Sequence, residues 1–287
     1  MTVLYHCCPN AAFQSIVENR SIWLSALSLS SDTMEGKLVT NVIVQMAKSD
    51  GLDQANIQRL KESISLLEQI MEGLGFCLSE EGDLLSQWRG YADDASGVSI
   101  GFSKKYLEKL SKESLNPQKS GFTLKKVEYE YESQKKRIQA TYDKIKELID
   151  NGAYKPLVHR TLLGSKTDEE IEAENKIIKK TYWDLSLTIL PLIFELFLLK
   201  TKAFQEEREW RLISPLIKNG NDECCFQSLP DKIIPYRKFS LSTLEENSIV
   251  KVILGPKNNT PVYVIDGLLK QNNFDNVKVI RSESSYR

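Results

Sequence analysis

Short alternating runs at both ends of the chain, separated by a long helical stretch, constrain this fold more than any other feature. Residues 3–8 (VLYHCC), 21–26 (SIWLSA) and 97–103 (GVSIGFS) read as strands, as do 75–80 (GFCLSE) and 125–130 (KKVEYE). Strand patterns return at 210–214, 249–254 and 277–280. Between the two sets, residues 133–200 are mostly helical, with interruptions near 152–154 and around 164. Strands from both outer thirds must therefore meet in one sheet. The expected fold is α+β: a single domain over 1–287, with a central mixed or antiparallel sheet and a helical insertion at about 133–200.

The remaining helices are expected at 11–19, 37–73, 84–91, 104–114 and 261–271. Pro9-Asn10 opens the first of these, and Phe13, Ile16 and Val17 share its apolar face. A polar loop, SLSSDTMEGK, spans 28–37, where Asp32 is placed to cap the following helix through Glu35. No internal repeat or low-complexity tract is present.

Composition narrows the function classes. A formal net charge of -1 over 287 residues gives no overall electrostatic grip on nucleic acid or an anionic membrane. The five cysteines include the adjacent pairs Cys7-Cys8 and Cys224-Cys225, which is not a metal-ligand spacing, and they read as free thiols in a reducing cytoplasm. Only His6 and His159 are available to support a zinc site, so none is expected. MTVLYHCC has neither a basic start nor a sustained apolar core, so no secretory signal is expected. The most apolar stretch, 185–200, is short for a bilayer and contains Pro191 and Glu195, which favours a buried helix and no membrane partner.

Four groups of residues are candidates for chemistry. His6 closes the first strand, where a histidine either serves a ligand or bonds a backbone carbonyl in the core. Cys77 with His6 or His159 would make a Cys-His pair, but its surroundings, GFCLSEEGD, supply no oxyanion loop, and a buried strand cysteine is the simpler reading. Trp88 and Tyr91 share a helical face and either flank a flat ring or anchor the helix, while Gly97 and Gly101 frame the strand that follows. No GxSxG, P-loop or GxGxxG occurs.

The fourth group is FQEEREWRLIS, residues 204–214. Strand alternation puts Glu207, Glu209 and Arg211 on one face. Leu212 and Ile213 follow at once, so that face is expected to be enclosed, and enclosed carboxylates are paired or functional. Arg211 neutralises one glutamate and leaves the other for a hydroxyl or a cationic centre. Glu209 is the free one if Arg211 supports Glu207, and spacing does not choose between them.

Several of these stretches, in order, resemble domain-of-unknown-function family 2971. They are LYH at 4–6, SDTMEG at 31–36, FCLSE, LLSQWRGYAD, GVSIGF, EEREWRLI and ILGP at 253–256. The sequence departs from the family pattern at Ser31-Asp32, where Asn-Asp is usual. The layout is similar to ADP-ribosyltransferase-like domains, with a first-strand histidine, an aromatic near nicotinamide and a glutamate in a late Q/E-x-E strand.

That resemblance implies an NAD-consuming transferase, a bacterial toxin or anti-phage effector, acting on a nucleic-acid or protein acceptor. Glu209, Glu207 and His6 would be catalytic. His6, Tyr5, Ser25, Asp32, Glu35, Trp88, Tyr91 and Arg211 would bind NAD, which is consumed as a substrate. Two other readings stand beside it: a non-catalytic nucleotide or nucleic-acid sensor, and a nuclease holding a divalent metal on Glu35, Glu207 and Glu209.

Overall fold

The computed structural model describes residues 2–30, 36–115, 121–160, 166–218, 220, 223–242 and 247–286. They form a mixed α+β fold around a ten-stranded sheet. Strand β3 (Met71–Ser79) is its hub. Along one edge β3 pairs antiparallel with β6 (Glu209–Ile217) over its whole length, from Met71↔Ile217 to Ser79↔Glu209. A short strand β5 (Thr123–Lys126) lies outside β6.

The other edge of β3 is shared. β1 (Val3–Cys8) meets it at Tyr5↔Ser79, and β2 (Ser21–Ala26) meets it at Ser25↔Gly75 and Ala26↔Leu74. Between these contacts β1 and β2 part, and the sheet divides into two wings. One continues through β4 (Val98–Ser103), β9 (Ile249–Leu254) and β10 (Lys278–Arg281), and the other through β8 (Ile233–Ser240) and β7 (Cys225–Ser228).

Alternation along β3 and β6 serves two cores. Leu74, Phe76, Leu78, Leu212 and Leu216 face the first, covered by α1 (Asn10–Asn19), α5 (Lys104–Ser114) and α8 (Val262–Gln271). Met71, Cys77 and Ile213 face the second, which is packed by α2 (Leu38–Ser49), α3 (Gln54–Ile70), α6 (Tyr131–Asp150) and α7 (Asp168–Ile189). Phe13, Ile16 and Val17 are the buried face of α1, as the spacing predicts. Thr167 and Glu170 form a capping box at the start of α7. Among the described residues no helix is long and apolar enough to cross a membrane.

Some expectations shift. The helical pattern expected to Gly73 stops at Ile70, because Met71 to Gly75 complete the ladder with β6 and glycine is a poor helix former. The strand expected over 125–130 is Thr123–Lys126; the chain then leaves the ladder, and Glu128 bridges to Leu199. Strands β7 and β8 escaped the pattern because Pro235 interrupts β8, a residue tolerated in an outer hairpin. The cap expected from Asp32 and Glu35 lies outside the described residues.

Candidate functional site

Where β1 and β2 part, the molecule encloses a cavity of about 210 Å³. His6 stands at the split. Its Nδ1 donates to the carbonyl oxygen of Cys77 at 2.8 Å, supplying a partner to the stretch of β3 between its two neighbours. Its ring stacks on Phe76, with centroids 4.0 Å apart. Burial lowers the imidazole from 6.5 to about 4, against the opposing pull of the Cys77 carbonyl, so the ring is neutral at pH 7. Since a carbonyl only accepts, Nδ1 carries the proton and Nε2 is left as an acceptor.

The opposite wall is charged. Arg211, Glu209, Lys200 and Glu207 are 1%, 4%, 5% and 8% exposed and all line the cavity. Arg211 forks onto Glu209, with Nε to Oε1 at 2.7 Å and Nη2 to Oε2 at 3.0 Å. Its Nη1 donates to the Phe197 carbonyl at 2.7 Å. Lys200 Nζ lies between the two carboxylates, 2.9 Å from Glu209 Oε2 and 2.7 Å from Glu207 Oε2. The other oxygen of Glu207 accepts from the Tyr91 hydroxyl at 3.2 Å. Two cations and two carboxylates thus form a neutral group, the condition under which charges are tolerated in an enclosed site.

The protonation states follow from this wiring. Burial works to raise the Glu209 carboxyl, but Arg211 and then Lys200 outweigh it and hold it at about 2, below its ordinary 4.5. For Lys200 burial pulls downward, and the glutamates prevail, keeping it a firm ammonium. Burial and then Glu207 raise the Tyr91 phenol, which stays a donor. The Cys77 thiol bonds Glu209, and burial followed by that negative charge pushes it well above its ordinary value, so it is no thiolate nucleophile.

Glu207 reaches the cavity by an unexpected route. It ends a 3-10 turn, Lys202–Glu207, and is not in a strand. Arg208 then takes a left-handed conformation (φ 42°), and β6 begins at Glu209. The shared face predicted from strand alternation holds for Glu209 and Arg211, while a turn brings in Glu207.

The helix α4 (Leu85–Tyr91) supplies Gln87 and Tyr91 to the cavity. Trp88 does not reach it. Its side chain is buried against Cys7, Ala92 and Ala95, with Nε1 donating to Asp83 Oδ1 at 2.6 Å, so it anchors the helix rather than stacking a ligand. After α4, residues Asp93, Asp94 and Ala95 all have positive φ, a left-handed turn that leads into β4. The Ala95 carbonyl accepts from Lys257 N, and Gly255 lies so close that an added Cβ would stand 2.4 Å from that oxygen. The ILGP stretch is therefore part of the support for α4.

Residues 87–212 match the family of proteins of unknown function DUF2971. The matched segment opens at Gln87 and closes one residue beyond Arg211, so both ends of the DUF2971 segment lie at the cavity. Residues before the matched segment, His6, Cys7 and Cys77 among them, line the rest of the cavity. No curated protein and no solved structure matches the chain.

Of the residues named from sequence, His6, Tyr91, Glu207, Glu209 and Arg211 line one cavity. Tyr5 and Ser25 do not line it. Tyr5 packs near Gly82, Gly101 and Lys251, because alternation turns it away from His6, and Ser25 accepts from Gln227 across the outer wing. Asp32 and Glu35 lie outside the described residues. Lys200 is the charged lining residue that sequence reading missed. Its one signal is a lysine closing the apolar run at 185–200. The nuclease expectation meets a chemical obstacle, since an ammonium and a guanidinium already occupy the oxygens of Glu207 and Glu209 where a divalent ion would bind.

Proposed function

We propose that this cavity is the reaction site of an NAD-consuming, ADP-ribosyltransferase-like enzyme. The observation that supports it is convergence. His6 from the first strand, Tyr91 from α4 and Glu207-x-Glu209 at the mouth of β6 come from distant parts of the chain and line one enclosed space. Ligand sites usually run from about 300 to 1,000 Å³. At about 210 Å³ the cavity suits a nicotinamide ring with its ribose, the adenosine half lying beyond the mouth.

In this reading Nε2 of neutral His6 accepts from a ribose hydroxyl, and Tyr91 flanks the nicotinamide ring. The bond between ribose C1′ and the pyridinium nitrogen breaks with its electron pair going to the ring. Nicotinamide leaves neutral, and positive charge develops on the ribose, where a carboxylate stabilises it. The acceptor's nucleophile then bonds C1′ and releases its proton to solvent water. Glu207 is the carboxylate for this task, because each of its oxygens has a single side-chain donor that a substrate hydroxyl can replace. Glu209, held on both oxygens by Arg211 and Lys200, fixes the geometry. The acceptor is a macromolecule, nucleic acid or protein.

The test is NAD titration and nicotinamide release by the wild type, Glu207→Gln and Glu209→Gln, with folding measured alongside. Binding with release that Glu207→Gln loses while staying folded supports the reading. Protein that neither binds NAD nor releases nicotinamide with any acceptor overturns it. The neutrality of the charged group favours one second reading, a nucleotide sensor without turnover. In that case NAD binds, nothing is released, and Glu207→Gln leaves the biological effect intact.

A further inference from the structure

The helix α7 buries only Ile178, Leu185 and Ile189, few for its length. On another face Trp183, Leu187, Leu190 and Phe194 are 64%, 51%, 48% and 47% exposed. Trp183, Leu187 and Leu190 are spaced i, i+4, i+7, the a/d seam of a helix that packs on another helix. Leu190 and Phe194 open and close the 3-10 turn Leu190–Phe194 that prolongs α7. Beside Phe194 the stripe opens on an apolar cavity of about 350 Å³, whose walls include Met71, Phe122 and Ile213, with exposed Leu115 and Ile217 at its rim.

The exposed area is that of an interface between chains. These side chains together with Ile70 leave on the order of 800 Å² of apolar surface open, where the largest patch on a typical monomer is about 300–600 Å² and a stable interface takes about 800 Å² from each partner. The patch is also self-complementary, because it carries a projecting indole at one end and a hollow at the other. Trp183 and Phe194 are separated along the axis by roughly 16–19 Å. A two-fold axis passing between Leu187 and Leu190 sets each Trp183 opposite the other copy's Phe194, and Leu187 opposite Leu190.

We propose that the chain forms an isologous homodimer through the α7 stripe, with each Trp183 seated in the other copy's apolar cavity. The inference is independent of the reading of the charged cavity. Light scattering coupled to gel filtration, with sedimentation over a wide concentration range, tests it on the full chain, of 32.8 kDa. The wild type should run at twice that mass, and Leu190→Lys and Trp183→Ala at the single mass, with unchanged circular dichroism. Because these side chains are exposed, neither change should unfold the monomer. Trp183 adds a second readout: wild-type emission should shift to the blue as the dimer forms, and Trp183→Ala should lose that shift. A wild type that stays monomeric at every concentration overturns the proposal, as does a dimer that survives both substitutions.

Discussion

Replacing Glu209 with glutamine should cost the fold about 3 kcal/mol at neutral pH and remove a specific part of its acid sensitivity. The carboxylate is buried, takes two bonds from Arg211 and one contact from Lys200, and lies against the Cys77 thiol. Burial would raise its pKa, yet the cations bring it from 4.5 to about 2. At about 1.4 kcal/mol per pH unit, that difference is about 3 kcal/mol. The same figure comes from another direction, since removing one member of a buried ion pair typically costs about 3–5 kcal/mol. The sign follows from proton uptake. Between pH 4.5 and about 2 the unfolded chain binds the proton that the native state refuses, so the contribution is complete above 4.5 and lost as pH falls through 2. Urea unfolding at a series of pH values reads both effects. The Gln variant should unfold at lower urea at pH 7, and its stability should fall less steeply than the wild type's below pH 4.5. A loss under about 1 kcal/mol, or an acid limb parallel to the wild type's, would refute the assignment of Glu209 as the charge that Arg211 and Lys200 require.

Two further outcomes are expected. His6 titrates near 4 in the folded protein instead of 6.5, so native stability should decline as pH falls across that window, and His6→Gln should flatten the slope of melting temperature against pH there; an undiminished slope contradicts the enclosed, neutral imidazole. Gly255→Ala places a Cβ 2.4 Å from the Ala95 oxygen and 3.0 Å from the Gly97 oxygen, both backbone atoms, and should destabilise by about 1–3 kcal/mol, read as a fall in melting temperature; an unchanged value would mean that the support for α4 is not built at this contact.

Much of the architecture was legible because it rests on local periodicity. Phe13, Ile16 and Val17 mark the buried face of α1, and the alternation in GVSIGFS marks β4, each within a few residues. What depended on neighbours was not legible. Gly75 could be read as a strand residue, but not its purpose, which is to admit the Leu27 side chain where a Cβ would stand 2.6 Å from it. Trp88 had the right helical face for a ligand ring, yet Asp83 claims its indole nitrogen and Cys7 and Ala92 enclose it. Helical spacing places a side chain on a face and says nothing about what that face meets.

The charged stretch shows the same division more sharply. Leu212 and Ile213 made enclosure of Glu209 and Arg211 legible, and enclosure requires neutralisation. Which cation neutralises which carboxylate depends on Lys200, and its position is set by long-range backbone bonds. Lys200 N donates to the Glu128 carbonyl at 3.0 Å, and Gln134 Nε2 donates to the Lys200 carbonyl at 2.8 Å. No local pattern encodes that pairing. Its consequence reverses the simplest division of labour, in which Arg211 supports Glu207 and leaves Glu209 to react. Arg211 is committed to Glu209, so the partners of Glu207 in the enclosed site are Lys200 on one oxygen and Tyr91 on the other. In the proposed reaction a substrate hydroxyl that displaces Tyr91 would leave the Lys200 pair intact, and the carboxylate would exchange a donor without becoming a buried, uncompensated charge.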